Sequence, residues 1–265
     1  MAFDLRPMTA AELLDRTFFL YRKHFTLFAG IIVIPMLAYF LASVLIESLE
    51  LPNTVVNQLL KLALLVPISL LASLYAQGAT VAAVSDVYLC RTAGIGKSFA
   101  RLRGNLINIL LATILMALTT GFGFLLIVPG IIFVAAFALT VPAVVIEKLN
   151  PIDAMRRSWN LTKQGRLRVW LVIIVVFVLL IIVSAICMIP AFVMTGISKL
   201  GDPSYTPSLV ENITKEVCSL VASCLVGPLQ TIALSLLYYD QRARKEGFDL
   251  QFMISSLEPD ETGNF

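Results

Sequence analysis

The sequence predicts an all-α fold: a polytopic integral membrane bundle of six transmembrane helices. Three observations predict it. Apolar residues make up 58% of the chain and charged residues 14%, against roughly 45–50% and about 25% in soluble domains. Five runs (25–46, 62–85, 104–146, 169–198 and 217–239) contain no Asp, Glu, Lys or Arg. A helix needs about 20 apolar residues to cross the hydrocarbon core, and the third run is long enough for two spans and a turn. All but three of the 20 Lys and Arg residues lie in segments 4–24, 86–103, 147–168 and 240–249; the exceptions are Lys61, Lys199 and Lys215. Basic segments that alternate with apolar ones mark loops kept on the cytoplasmic side. Both termini are therefore expected in the cytoplasm.

The elements follow in order. Thr9-Ala-Ala-Glu12 has the pattern of a capping box, which opens a short amphipathic helix running to Lys23. Several charges precede the first apolar run, so that run reads as an uncleaved span over 25–46 rather than a signal peptide. A second span returns over 59–89. A short basic helix begins near Gly96 with Lys97, Phe99, Arg101, Leu102 and Arg103. Gly94-Ile-Gly96-Lys97-Ser98 lacks the first Gly of a phosphate-binding loop and reads as a turn. Spans three and four cover 104–127 and 131–147, with the turn expected at Pro129-Gly130 and Gly121-Phe-Gly123 as a rival. Pro151 suits the first turn of a third short helix, which carries Arg156, Arg157 and Trp159. Spans five and six cover 168–198 and 209–241. Residues 1–248 then form one membrane domain, and 249–265 an acidic, flexible cytoplasmic tail.

The plan is one unit repeated three times: a short helix lying in the interface, an outgoing span and a returning span. Mixed apolar and basic positions suit a helix at the headgroup level. Each returning span ends on a carboxylate, Asp86, Glu147 or Asp240. A carboxylate at the membrane boundary is costly unless paired or hydrated. These three are expected to form structural ion pairs with the short helices, with a proton or cation relay as the alternative.

Inside the spans, Gln77 and Gln230 stand among few polar residues. Small neighbours (Ala76, Gly78, Ala79, Ala82 and Ala83) favour close helix packing with a Gln77–Gln230 hydrogen bond; a substrate cavity is the alternative. No charge lies near a span centre, which argues against ion-coupled transport. Cys90, Cys187, Cys218 and Cys224 have no metal-ligand spacing, and His24 is the sole histidine. The reading assigns no cofactor, metal, catalytic residue or nucleic-acid partner.

Three segments, LRPMTAAELLDRTFFLYRKHF, PAVVIEKLNPIDAMRRSWNLTK and LLYYDQRARKEGFDL, resemble a bacterial family named after the membrane domain of glycerophosphoryl diester phosphodiesterase. The similarity runs in order over residues 5–250. It implies a six-span bundle in a bacterial cytoplasmic (inner) membrane, with the motifs on cytoplasmic loops. It does not imply phosphodiesterase activity, because no stretch of this chain has room for the hydrolase barrel. The expectation is a non-catalytic protein with a basic collar of Arg16, Arg22, Lys23, Arg101, Arg103, Arg156, Arg157, Trp159, Arg242 and Arg244. That collar would bind anionic phospholipid headgroups or a partner protein, a second copy included. Neutralising Arg156 and Arg157 together should then weaken lipid attachment without unfolding the bundle. The alternative is a transporter or channel for a lipid-like or amphipathic solute.

Overall fold

The computed structural model describes residues 8–48, 55–89, 91–201 and 208–246; the expected tail at 249–265 and Cys90 lie outside them. All regular structure among these residues is helical, in the order α1 (Ala10–Lys23), α2 (Phe25–Glu47), α3 (Val55–Tyr88), α4 (Ile95–Leu102), α5 (Leu106–Phe124), α6 (Val128–Phe137), α7 (Thr140–Glu147), α8 (Pro151–Thr162), α9 (Arg166–Gly201) and α10 (Leu209–Glu246). Six segments are long and apolar enough to cross a membrane, α6 and α7 together forming the fourth. The chain is a multi-pass membrane protein.

Local sequence sets several boundaries. Thr9 caps α1 through a complete capping box with Glu12. Asn150 and Pro151 open α8, where the missing proline N–H removes no helical bond. Lys148 closes α7 in the left-handed region, at φ 55°.

The turn between α5 and α6 falls at neither expected place. It occupies Leu125–Ile127, between the two candidates, and Pro129 lies in the first turn of α6. Ile127 adopts φ 54° and ψ −66°, and the Val128 N–H donates to the Leu126 carbonyl at 2.6 Å, which is a strained γ-turn. The glycines of both candidates serve helix contact instead. A Cβ on Gly130 would sit 2.7 Å from the Phe124 backbone, and one on Gly123 would sit 3.0 Å from Gly130. α5 and α6 therefore touch backbone to backbone beside the turn.

Packing is uneven along the bundle. The ends of α3, α7 and α10 converge with α1, α4 and α8 at what we term the basic end. Every residue from Gly78 to Tyr88 is buried, as is most of 226–243. Small side chains such as Ala79, Ala82 and Ala83 permit this close approach, which matters because lipid offers apolar helices little hydrophobic reason to associate. Towards the far end the outgoing helices and the first half of α3 are largely exposed. α9 lies along α10, α2 along α3 and α5 along α6, and α2 also packs on α10; α5 meets α3, and α6 meets α9, only briefly.

Candidate functional site

At the basic end the three boundary carboxylates each hold a short helix. Asp86 of α3 pairs with Arg101 of α4. Glu147 of α7 pairs with Arg157 of α8 at 3.0 Å and lies 3.5 Å from Arg242 of α10. Asp240, at 1% exposure, accepts the Met8 N–H just before α1 at 2.8 Å and pairs with Arg168 and Arg244. Arg157 also bridges to Glu246. Those bonds, Glu246 first and then Glu147, raise the Arg157 pKa and keep it charged. The Tyr238 hydroxyl donates to Glu147 and that of Tyr239 to Ser85, and the Tyr239 ring stacks on Tyr88 at 4.9 Å.

The expected collar thus divides in two. Arg101, Arg157, Arg242 and Arg244 sit in ion pairs, and Arg16 hydrogen-bonds Tyr88. Trp159 packs against Phe133 and Phe137, with the Arg166 guanidinium 4.3 Å above its ring. Arg22, Lys23, Arg103 and Arg156 instead face outward on the short helices. The adjacent Arg156 and Arg157, which the sequence suggested would act together, have different surroundings: one is exposed and one is bound twice. Sequence reading missed Met8, Arg168, Tyr238 and Glu246 as members of the network. Glu246 had a signal, since it stands one helical turn after Arg242. The Met8 amide had none.

Two short helices also repair breaks in returning spans. Between α6 and α7 the helix is interrupted at Ala138-Leu139. Ser158 of α8 reaches this gap, donating to the Ala136 carbonyl at 2.7 Å and accepting the Leu139 N–H at 3.1 Å. In α10, Pro228 supplies no N–H to the Cys224 carbonyl four residues back. The Tyr21 hydroxyl of α1 lies 3.4 Å from that carbonyl and donates to the next one, Leu225, at 2.8 Å. Burial pushes the Tyr21 pKa up to about 12, helped by Cys224, so the phenol keeps its proton.

Beyond this packed layer residues of all six spans line a partly open cavity of about 940 Å³. Val81, Val141, Pro142, Ile173 and Leu234 lie at its basic end; Thr120, Gly121, Phe124, Met188 and Ser219 lie further out. No lining residue is charged. Gln77 is the sole exposed residue between Ala76 and Tyr88, and Gln230 the sole one between Val226 and Ala243. Both line the cavity. The expected Gln77–Gln230 hydrogen bond is therefore corrected: the amides are exposed to the cavity and make no hydrogen bond among the described residues. Small residues bring the helices together on the basic side of the glutamines, not across them.

Gln77 and Ala138 each stand nine residues before their boundary carboxylate, and Gln230 stands ten before its own. Ala138 also lines the cavity, and Pro142 offers its carbonyl no helical N–H. No group of three or more His, Cys, Asp or Glu suited to a metal occurs among the described residues. Cys187, Cys218 and Cys224 are free thiols on α9 and α10.

Residues 51–241 match the model of a family described as Domain of unknown function (DUF7847). The chain belongs to this family. The DUF7847 match runs from before α3 into the last turns of α10, so it contains both glutamines, all three boundary carboxylates and the Ser158 bridge. It leaves out α1 and α2. No curated protein and no solved structure matches the chain.

Proposed function

We propose that this is a non-catalytic protein whose central cavity binds, and moves across the bilayer, a lipid-like or amphipathic solute. One observation carries the reading: two glutamine amides, unpaired with each other, are exposed to an uncharged cavity. A polar group inside a membrane protein costs free energy unless it is satisfied, and a ligand's polar atoms or water can satisfy both amides. Largely apolar pockets of about 300–1,000 Å³ with a few placed polar groups are the usual form of a small-molecule site.

In this reading the basic end faces the cytoplasm of a bacterial inner membrane, with both termini on that side. The inner arginines then act as a lock on the helices. The resemblance to the glycerophosphoryl diester phosphodiesterase membrane domain fits a stand-alone membrane module of this kind.

Native mass spectrometry of the protein extracted gently with its own lipids tests the proposal. An amphiphile should remain bound at one per chain and be lost in Ser223→Phe, which places a ring in the cavity. Bare protein, or a ligand retained equally by the variant, would sink it. A second reading is supported by the exposed cations Arg22, Lys23, Arg103 and Arg156: they ring the short helices where anionic headgroups would meet them, at about 1 kcal/mol each.

A further inference from the structure

The second hairpin is short. Lys61 on α3 is 25 residues from Asp86, and Asn212 on α10 is 28 from Asp240. These two residues meet Glu47 of α2, at 3.4 Å and 2.9 Å, in a polar layer at the far end. Glu211 of α10 accepts a bond from Ser198 of α9 beside it. The α5–α6 turn takes no part. Leu126 at its tip is 21 residues from Glu147. At about 1.5 Å per residue these paths measure about 37, 42 and 31 Å. The hairpin therefore stops one to two helical turns short of the polar layer, near the roughly 30 Å thickness of a hydrocarbon core.

Its tip has the composition of that environment. Phe124, Leu125, Leu126, Ile127 and Val128 are all at least half exposed, Leu125 reaching 77%. A tip that met water would leave a contiguous apolar patch exposed. The wall it forms is flanked by two loose seams, α3 against α5 and α6 against α9. Just inside the tip, Thr120, Gly121 and Phe124 line the cavity. The far polar layer spans the other two hairpins, so the wall is lowest where it faces lipid.

We infer that the cavity is loaded sideways, over this apolar lip, by an uncharged acyl lipid from the far leaflet whose hydroxyl or ester-carbonyl head reaches Gln77 and Gln230. The lack of charge follows from the lining. A phosphate or ammonium group would lie in a cavity without a counter-ion, and an unpaired buried ion costs several kcal/mol. The glutamines supply both donors and acceptors, which suits hydroxyls and carbonyls. This inference rests on the cavity reading above.

The test uses the full chain in phosphatidylcholine nanodiscs carrying one of two photoactivatable probes with the same acyl chains, a diacylglycerol or a phosphatidylglycerol. Mass spectrometry then locates the cross-links. The diacylglycerol probe should label peptides that contain Gln77 or Gln230 at least ten times more than the anionic probe. Gly121→Trp, at a position where a new side chain meets open space, should cut that labelling at least tenfold. Gln77→Leu with Gln230→Leu should also lower it while leaving the lip open, which serves if the tryptophan variant misfolds. Equal or stronger labelling by phosphatidylglycerol would overturn the uncharged head and leave the cavity reading standing. Diacylglycerol labelling undiminished by Gly121→Trp would overturn entry over the lip. Absence of cavity labelling by either probe would overturn both this inference and the reading beneath it.

Discussion

The two ends of the bundle solve the problem of polar groups in a membrane in opposite ways. At the basic end, each of the three boundary carboxylates is matched: Asp240, fully enclosed, has the Met8 amide and two arginines. In the cavity, two glutamines are left open. The first arrangement fixes the helices relative to one another, because removing one member strands the others in a poor solvent. The second leaves hydrogen-bonding capacity in reserve. The contrast separates residues that hold the fold from residues available to a ligand, although both sets lie on the same helices, α3 and α10.

Variants can break or sharpen that division. Asp240→Ala should do most damage, since it takes the carboxylate from Arg168 and Arg244 and leaves the Met8 N–H unmatched; about 3 kcal/mol is the scale for breaking a buried pair. Thermal unfolding in detergent followed by tryptophan fluorescence measures it, and an unchanged midpoint would show that the network is not structural. Ser158→Ala should cost roughly 2 kcal/mol, by orphaning the Leu139 N–H and leaving the Ala136 carbonyl only the longer Thr162 bond, and should speed hydrogen exchange at Leu139 most. An unaffected exchange rate there would mean that the gap is satisfied otherwise.

Tyr21→Phe should cost about 1 kcal/mol, the ordinary value of a single hydrogen bond. Its difference from the parent also has a pH signature. The folded phenol has its pKa raised from 10.0 to about 12, so its contribution is complete below pH 10 and fades as pH rises through that window. A gap between variant and parent that stays constant across that window would contradict this. Gln77→Leu with Gln230→Leu should leave stability unchanged or raise it slightly, while reducing bound amphiphile. Equal loss of stability and of ligand would place the glutamines with the fold instead. Arg156→Gln should alter stability by no more than about 0.5 kcal/mol, as surface changes do. A measurable fall in retained anionic lipid in that variant would support a headgroup role for the outer cations. Replacing Arg157 as well confounds the assay, since Arg157 holds Glu147 and Glu246.

Much of the architecture was legible in one dimension. Uncharged runs disclose spans because the bilayer excludes charge along the whole of a crossing helix, and six helices long and apolar enough to cross occur among the described residues. Thr9 with Glu12, and Pro151, mark helix starts because capping chemistry is local. The interruption at Ala138-Leu139 has only Pro142, four residues on, as a local mark, and its hydrogen-bond partner, Ser158, lies on another helix. The position of Gln77 relative to Gln230 was equally hidden. A sequence lists the small residues that allow helices to approach but not the depth at which they diverge. The short second hairpin was obscured by Pro129-Gly130, a turn dipeptide that the chain uses for a tight helix crossing.

The Ser158 bridge has a consequence for how the protein is made. Leu139 leaves the ribosome 19 residues before the side chain that completes it. Until α8 has been synthesised and has docked, the fourth span has a gap in its backbone ladder with no partner from its own helix. That span is therefore expected to settle fully only after α8 has followed it. A nascent chain stalled while Ser158 is still inside the ribosome would leave the gap without its partner, whereas one stalled after α8 has emerged would close it. Force measurements on stalled chains of stepped length would locate that moment in the protein's synthesis.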